Sequence, residues 1–313
     1  MNYSRRTNLL VTLILIAIAT ISTGVVAQDT TAFFLEGMDG ELLLGQEANS
    51  SWGKNWSAPT VSGINLGYLA KNGYPLFVPD RNGNGIVDRN DLIRIADKLG
   101  GSTYMNTDSF GGTTDPELLH GLARYVSETY PSEFEIKVYQ DEFRSEYSRV
   151  MKEELPEQVF GVPVSVFPDP TFSSYSGELE AGEMIWLGLP QPDKPNNHFL
   201  AGRSFNSEKI GGDRYLVDFV DPREEEFRPG WAQIIETVMT TSGGLRYLGK
   251  FAPVDVMFAL SPLDREGKFG ECLPDLVCTV QCGMEREKVC VEYSGGGCER
   301  VCAQYRCTDP CAS

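Results

Sequence analysis

The chain has 313 residues, of which 41% are hydrophobic and 23% are charged, so it can bury a core of ordinary size. Its 27 basic residues against 44 acidic residues give a net charge of −17, which argues against nucleic acid and anionic membrane surfaces as partners. The composition fits a folded soluble protein and leaves the fold class open.

Residues 1–27 predict a secretory signal peptide. Arg5 and Arg6 precede an apolar run over residues 9–26, and the small residue Ala27 closes it. We expect cleavage after Ala27, a secreted or cell-surface location, and no membrane contact after cleavage. The run is nearly long enough to span a bilayer, so an uncleaved N-terminal membrane anchor is the alternative.

The first predicted helix begins at Ser57, within Asn55-Trp-Ser-Ala-Pro-Thr60. Apolar residues follow at helical spacing as far as Ala70, and Asn72-Gly73 supplies a stop. We expect the Ser57 side chain to cap this helix, because serine is a preferred N-cap residue. A hydroxyl there would also lie at the positive end of the helix dipole, where a nucleophile is activated. Whether Ser57 is a cap or a nucleophile decides the function.

Residues 80–91 predict a calcium loop of the EF-hand kind. Oxygen-bearing side chains occupy the first, third, fifth, ninth and twelfth loop positions, and a glycine at the sixth allows the sharp turn. The predicted Ca2+ ligands are Asp80, Asn82, Asn84, Ile86 through its carbonyl, Asp88 and Asp91. The loop resembles those of dockerins, because aspartate stands at its last position. A polar turn without a metal is the alternative.

A helix is predicted after this loop, ending at Gly100-Gly101, but none is predicted before it. A dockerin carries two such loops, and only one is found here. We therefore expect a structural calcium site and no cohesin partner.

The middle of the chain mixes predicted helices and strands. Predicted helices cover residues 115–130, 141–155, 172–181 and 230–240. Predicted strands cover residues 134–139, 162–167 and 184–189, followed by strands that begin at His198, cover residues 214–220, and lie within residues 245–260. His120 is predicted to be a surface or boundary residue. The predicted fold class is α+β, with an N-terminal helical part packed on an antiparallel sheet.

A linker over residues 263–271 leads to a cysteine-rich module over residues 272–313. All 8 cysteines lie in this module. An even number of closely spaced cysteines in an exported protein predicts a disulfide framework, whose pairing stays open. Zinc is the competing interpretation, but the module has no histidine and no Cys-x2-Cys pair. The cysteines predicted to form disulfides are Cys272, Cys278, Cys282, Cys290, Cys298, Cys302, Cys307 and Cys311.

Three residues have the types of a nucleophile, a general base and an orienting carboxylate: Ser57, His198 and Asp221. In chain order they stand in a Trp-Ser-Ala-Pro-Thr helix start, in His-Phe-Leu-Ala-Gly, and in Asp-Pro at the end of a strand. Glu183-Met-Ile-Trp-Leu-Gly-Leu lies between the first two. This order resembles the papain-like cysteine peptidases, in the branch related to bacteriocin double-glycine leader peptidases. The resemblance covers roughly residues 35–262 and implies a papain-like domain over residues 28–262.

The resemblance implies a role for each matching residue. Ser57 occupies the nucleophile position, His198 that of the base and Asp221 that of the orienting group. Gln46 is the best candidate for the oxyanion-stabilising glutamine, although it lies 57 − 46 = 11 residues before Ser57, further than is usual in that family. Asn197 replaces the glycine often found before the histidine.

The nucleophile itself departs from the family. These peptidases need a thiolate, which forms because a cysteine beside an imidazolium at a helix N-terminus ionises easily. A serine hydroxyl cannot form that ion pair, and no cysteine precedes Cys272. We therefore expect an exported, calcium-binding, catalytically impaired peptidase-like protein that binds a peptide or protein through its cleft. One alternative is an active Ser-His-Asp acyl hydrolase, and another is a structural or adhesive surface protein. The sequence leaves the oligomeric state open.

Overall fold

The computed structural model describes residues 32–35, 37–49, 51–52, 54–108, 111–140, 157–168, 170–191, 196–223 and 228–263, and the backbone of residues 301–302 and 305–306. The predicted signal peptide and the helix predicted over residues 141–155 lie outside these ranges. So do most of the linker and the cysteine module, of which only two short paired strands are described. No helix within the described residues is long and apolar enough to cross a membrane.

Four α-helices form the helical part of the described chain. They are α1 (Ser57–Lys71), α2 (Arg89–Gly100), α3 (Asp115–Thr129) and α4 (Phe172–Glu180). Short 3-10 turns lie at Gly40–Leu42 and Pro75–Phe77, so the predicted calcium loop follows a turn and precedes a helix, as expected. Capping boxes begin α2, α3 and α4 and satisfy backbone N–H groups in the first turn of each helix.

Eleven strands form one sheet. They are β1 (Ala32–Phe34), β2 (Phe134–Gln140), β3 (Gln158–Val159), β4 (Val162–Phe167), β5 (Met184–Pro190), β6 (Asn197–Gly211), β7 (Arg214–Asp221), β8 (Gln233–Thr240), β9 (Gly244–Tyr247), β10 (Lys250–Pro253) and β11 (Val256–Pro262). Their order is β10-β9-β8-β7-β6-β5-β11-β2-β4-β3, and β1 pairs with β6. Only β2 and β4 pair in parallel within this sheet. The described fold is therefore mixed α and β, with a mostly antiparallel sheet.

The helix predicted over residues 230–240 is wrong, because most of this segment is strand β8. It pairs with β7 along its whole length, from Arg214 opposite Thr240 to Asp221 opposite Gln233. Isoleucine, threonine and valine dominate its sequence, and these β-branched side chains favour strands. The β-branched side chains, together with pairing to β7, decide the conformation of this segment.

Helix α1 is the central element of the core. All of its residues except Lys71 are buried, as expected for a helix that is covered on every side. A Cβ atom added to Gly67 would lie 2.4 Å from Leu92 Cδ2, so this glycine allows α2 to approach closely. On the sheet side, Asn65 Nδ2 donates to the Ile185 carbonyl at 3.0 Å. These contacts hold α1 between α2 and the sheet.

Candidate active site

Ser57 is the first residue of α1, but it does not cap the helix. The N-cap residue is Trp56, and no side chain makes a capping hydrogen bond. Ser57 Oγ instead accepts a hydrogen bond from the Phe199 N–H at 3.3 Å. The predicted capping role is therefore wrong. The hydroxyl lies at the helix N-terminus, against the main chain that follows His198.

His198 and Asp221 meet because β6 and β7 are antiparallel neighbours. β6 begins beside His198 and β7 ends at Asp221, so both residues lie at the same end of the sheet. His198 Nε2 lies 2.8 Å from Asp221 Oδ1, and the side chains are only 4% and 2% exposed. Helix α1 and the strand pair thus bring Ser57, His198 and Asp221 to one place.

Asp221 is an ionised carboxylate despite its burial. Desolvation by burial pushes its pKa up, but hydrogen bonds from His198, Tyr247 and the Arg223 N–H outweigh this effect and lower the pKa below its ordinary value. The carboxylate therefore orients the imidazole through Nε2. Nδ1, which is the ring nitrogen closer to the main chain, is then the atom suited to exchange a proton with a group at position 57.

Tyr247, at the end of β9, belongs to the same site. Its hydroxyl donates to Asp221 Oδ2 at 2.5 Å, and its ring stacks near the His198 ring with centroids 6.0 Å apart. Burial and the nearby Asp221 raise the pKa of Tyr247, so the hydroxyl keeps the proton that it donates. Sequence reasoning missed this residue. The only signal was an aromatic residue in a predicted strand segment.

Gln46 reaches the Asp221 side of the site. Its backbone N–H donates to the Pro222 carbonyl at 2.7 Å, and the residue is only 5% exposed. Its Oε1 is buried and has no hydrogen-bond partner among the described residues. The backbone N–H of Ser57 stands at the first helical position, where N–H groups have no partner within the helix. The Gln46 side-chain amide, through Nε2, and the Ser57 N–H are the candidate donors to a developing oxyanion.

Asn197 anchors the start of β6 through its side chain. Its Nδ2 donates to Asp115 at 3.1 and 3.2 Å and to Asp255 Oδ2 at 3.2 Å, and all three residues are buried. Burial and the nearby Asp255 raise the pKa of Asp115 to about 7. The asparagine that departs from the family pattern thus connects the strand before His198 to the N-terminus of α3.

The backbone of the predicted calcium loop folds around the Asp80 carboxylate. Asp80 accepts backbone N–H groups from Gly83 at 2.7 Å and Gly85 at 2.7 Å. Both of these glycines have positive φ, which glycine adopts without strain. The loop backbone therefore turns tightly around the carboxylate at its first position.

Two more of the predicted ligands, Asn82 and Asn84, lie beside Asp88. Asn82 Nδ2 and Asn84 Nδ2 each lie 2.8 Å from Asp88 Oδ2. Asp88 and Asp91 also form the capping box of α2. Within the described residues, no group of three or more His, Cys, Asp or Glu side chains is placed to hold a metal. The predicted set would draw its oxygens from two amides and a carbonyl besides its carboxylates, and oxygen is the ligand atom that a hard cation such as Ca2+ prefers.

The chain matches no protein-family model, no curated protein and no solved structure. The resemblance to papain-like peptidases therefore stays a prediction from the order of the sequence motifs.

Proposed function

We propose that this is an exported, calcium-binding, peptidase-like protein that binds a peptide or protein at the Ser57, His198 and Asp221 site and is impaired in catalysis. The placement of a helix N-terminus against the strand that carries the histidine, with the aspartate on the next strand, supports a papain-like arrangement.

The serine at position 57, where the resemblance implies a cysteine, carries the proposal that catalysis is impaired. Its Oγ accepts from the Phe199 N–H, so a hydroxyl and not a thiol lies against the strand that carries His198. A serine nucleophile must give its proton to a base during attack, whereas the thiol of this family ionises before attack. The resting site thus offers the family's base and orienting carboxylate without the group that they activate.

An active acyl hydrolase is the second candidate, and Asp221 is the observation that favours it. A buried, ionised carboxylate stabilises the imidazolium that forms when a histidine takes a serine proton. Catalytic hydrogen bonds are often long in the resting enzyme and tighten when substrate binds. In this reading His198 accepts the Ser57 proton only in the substrate complex.

Restoring the thiol tests the proposed site. Residues 1–271 contain no cysteine, so Ser57→Cys introduces one thiol into the domain. If His198 faces position 57, iodoacetamide should alkylate this thiol rapidly even near pH 6, because the imidazolium lowers the thiol pKa. The matched control is Ser57→Cys with His198→Ala. Equal rates in both variants would overturn the site.

A fluorophosphonate probe on the wild-type protein separates the two candidates. Covalent labelling of Ser57 that disappears in His198→Ala would establish the hydrolase and overturn impaired catalysis. The impaired site should stay unlabelled while Ser57→Cys becomes reactive.

We also propose Ca2+ as the ligand of the loop over residues 80–91, held by the residues predicted from the sequence. The bound ion would neutralise the loop carboxylates and fix the start of α2 through Asp88 and Asp91. The convergence of Asn82 and Asn84 on Asp88 supports this proposal.

We also propose that the protein is secreted after cleavage behind Ala27 and that the cysteines of residues 272–313 form disulfides. N-terminal sequencing of the exported protein should begin at Gln28. Mass spectrometry without reduction should show that the 8 cysteines have lost eight protons relative to the reduced form. Free thiols in the module would favour zinc instead.

A further inference from the structure

We infer that helix α2 couples the calcium loop to the candidate active site and that Arg89 carries this coupling. The inference rests on the calcium site proposed above. It concerns how the occupied loop would regulate the peptide-binding site, and it uses contacts at both ends of α2.

At its N-terminus, α2 reaches the site through Arg89, which directly follows Asp88. The Arg89 guanidinium donates a hydrogen bond to the Gly230 carbonyl and lies over the Trp231 ring, with Cζ 4.8 Å from the ring centroid. Gly230 has a φ of 82°, and a Cβ there would lie 2.6 Å from Arg89 Nη2. The arginine therefore occupies space that only a glycine leaves open.

Arg89 contacts a pair of hydrogen-bonded backbone segments, residues 43–46 and residues 230–232, which we call the seam. The Gly45 N–H donates to the Gly230 carbonyl at 2.7 Å, and the Ala232 N–H donates to the Leu43 carbonyl at 3.2 Å. A Cβ at Gly45 would lie 2.5 Å from the Gly230 carbonyl carbon, so the two backbones touch. The Gly230 oxygen thus accepts from both the seam and Arg89.

This seam ends at the site. Gln46, the candidate oxyanion donor, closes the first segment, and its N–H donates to the Pro222 carbonyl beside Asp221. A shift of Gly45 relative to Gly230 would therefore move Gln46 relative to Asp221.

The other end of α2 touches the helix that carries Ser57. A Cβ at Gly100 would lie 2.2 Å from the Trp56 ring, and Trp56 directly precedes Ser57. Trp52 stacks on Trp56 with centroids 5.9 Å apart and donates from Nε1 to Asp97 at 3.0 Å. Helix α2 therefore contacts the flanks of both Gln46 and Ser57.

The coupling follows from where the cation would act. Asp88 and Asp91 are predicted ligands and also cap α2, so a bound ion stabilises the conformation in which α2 starts at Arg89. An ion that binds only this conformation shifts the population toward it in proportion to its binding. The seam should then open less often when Ca2+ is bound.

Hydrogen exchange followed by mass spectrometry tests this in the full-length exported protein. At a Ca2+ concentration of about ten times Kd, exchange should slow about tenfold in residues 80–91 and also in the seam. In Arg89→Ala, Ca2+ should slow exchange in the loop but no longer in the seam. Arg94→Ala, an exposed arginine on the same helix, is the matched control and should behave as wild type.

Each outcome is decisive. Equal slowing of the seam in Arg89→Ala and wild type would overturn the coupling and leave the calcium site intact. No slowing in the wild-type loop would overturn the calcium site and the coupling with it. Protection of the α1 amides reports whether Arg89→Ala is folded. If the α1 amides are unprotected, Arg89→Lys replaces Arg89→Ala, because lysine keeps the charge but lacks the planar guanidinium. In Arg89→Lys, Ca2+ should slow exchange in the seam less than it does in wild type.

Discussion

Tyr247 donates a hydrogen bond of 2.5 Å to Asp221 Oδ2, while Oδ1 of the same carboxylate lies 2.8 Å from His198 Nε2. Two side chains from different strands thus hold one buried acid. Burying the Asp221 carboxylate is costly unless its hydrogen bonds are satisfied. The His198 ring is therefore held in the position from which it bonds to Oδ1. It gives the site a rigid His198 and Asp221 pair, whatever chemistry Ser57 performs.

Replacing Tyr247 with phenylalanine should destabilise the protein. The carboxylate loses a charge-assisted donor while it stays buried, so the free energy of unfolding at pH 7 should fall by about 1.5–3 kcal/mol in urea titrations. Tyr215→Phe is a matched control, because the ring contacts of Tyr215 with Phe172 and Lys209 do not depend on its hydroxyl. It should change stability by less than about 0.5 kcal/mol. Equal losses in both variants would show that the hydroxyl of Tyr247 does not support Asp221.

The same variant should respond differently to acid. The folded-state pKa of Asp221 is depressed, so the group contributes stability above its unfolded pKa and loses it as the pH falls through the folded value. Without the Tyr247 hydroxyl this pKa rises toward its ordinary value. The difference in unfolding free energy between Tyr247→Phe and wild type should therefore shrink as the pH is lowered below about 4. A difference that stays constant down to the acid transition would contradict this assignment.

Asp115 should make the protein less stable in alkaline solution. Its folded-state pKa is raised to about 7 by burial and by Asp255, so the folded state holds this proton more tightly than the unfolded state. The resulting stability is complete below the unfolded pKa and is lost as the pH rises through about 7, at about 1.4 kcal/mol for each pKa unit.

Asp115→Asn removes this titration. Urea unfolding should show that the variant gains stability relative to wild type as the pH rises from 5 to 8. The exposed Asp213, replaced in the same way, should show no such change between the two values. If Asp115→Asn lost stability equally at both values, the buried proton would have no role.

Local signals made the helices predictable from the sequence. The capping pair Thr114 and Glu117 predicts the start of α3, and the apolar spacing predicts the extent of α1. The pairing of His198 with Asp221 could be expected only through the family resemblance. The contacts of Tyr247 with Asp221 and of Arg89 with Gly230 join residues 26 and 141 positions apart, so no local pattern could reveal them. The capping role predicted for Ser57 is wrong for the same reason, because its hydrogen-bond partner Phe199 lies 142 positions away.

A buried ion cluster beside β5, β11 and β2 was also hidden in the sequence. Lys137 Nζ lies 2.9 Å from both Glu178 Oε2 and Glu183 Oε1, and Ser261 Oγ donates to Glu183 Oε2 at 2.5 Å. The side chain of Glu183 is fully buried. One lysine thus balances two carboxylates between β2, α4 and β5.

Lys137→Met should be among the most damaging single changes in the described domain. It leaves two carboxylates without their cation, so the free energy of unfolding should fall by about 3–5 kcal/mol. Adding Glu183→Gln should recover part of the loss. Arg124→Met, which breaks the exposed pair with Glu128, should cost less than about 1 kcal/mol. A small effect of Lys137→Met would mean that the glutamates are protonated or solvated.

Removing calcium should lower the thermal midpoint of the folded domain. With a Kd in the extracellular range of about 10⁻⁴–10⁻³ M, about 10 mM Ca2+ adds roughly 1.4–2.7 kcal/mol to the folded state. A chelator should therefore lower Tm by roughly 3–10 °C in calorimetry of the exported protein.

Asp80→Asn should lower Tm in the presence of Ca2+ and abolish the response to the chelator, because it removes the carboxylate at the first loop position. The exposed Asp39, replaced by asparagine, is the control and should keep the full response. An unchanged Tm with chelator in the wild type would show that the loop over residues 80–91 holds no ion. The hydrogen bonds of Asp80 with its own backbone would then be the whole reason for its conformation.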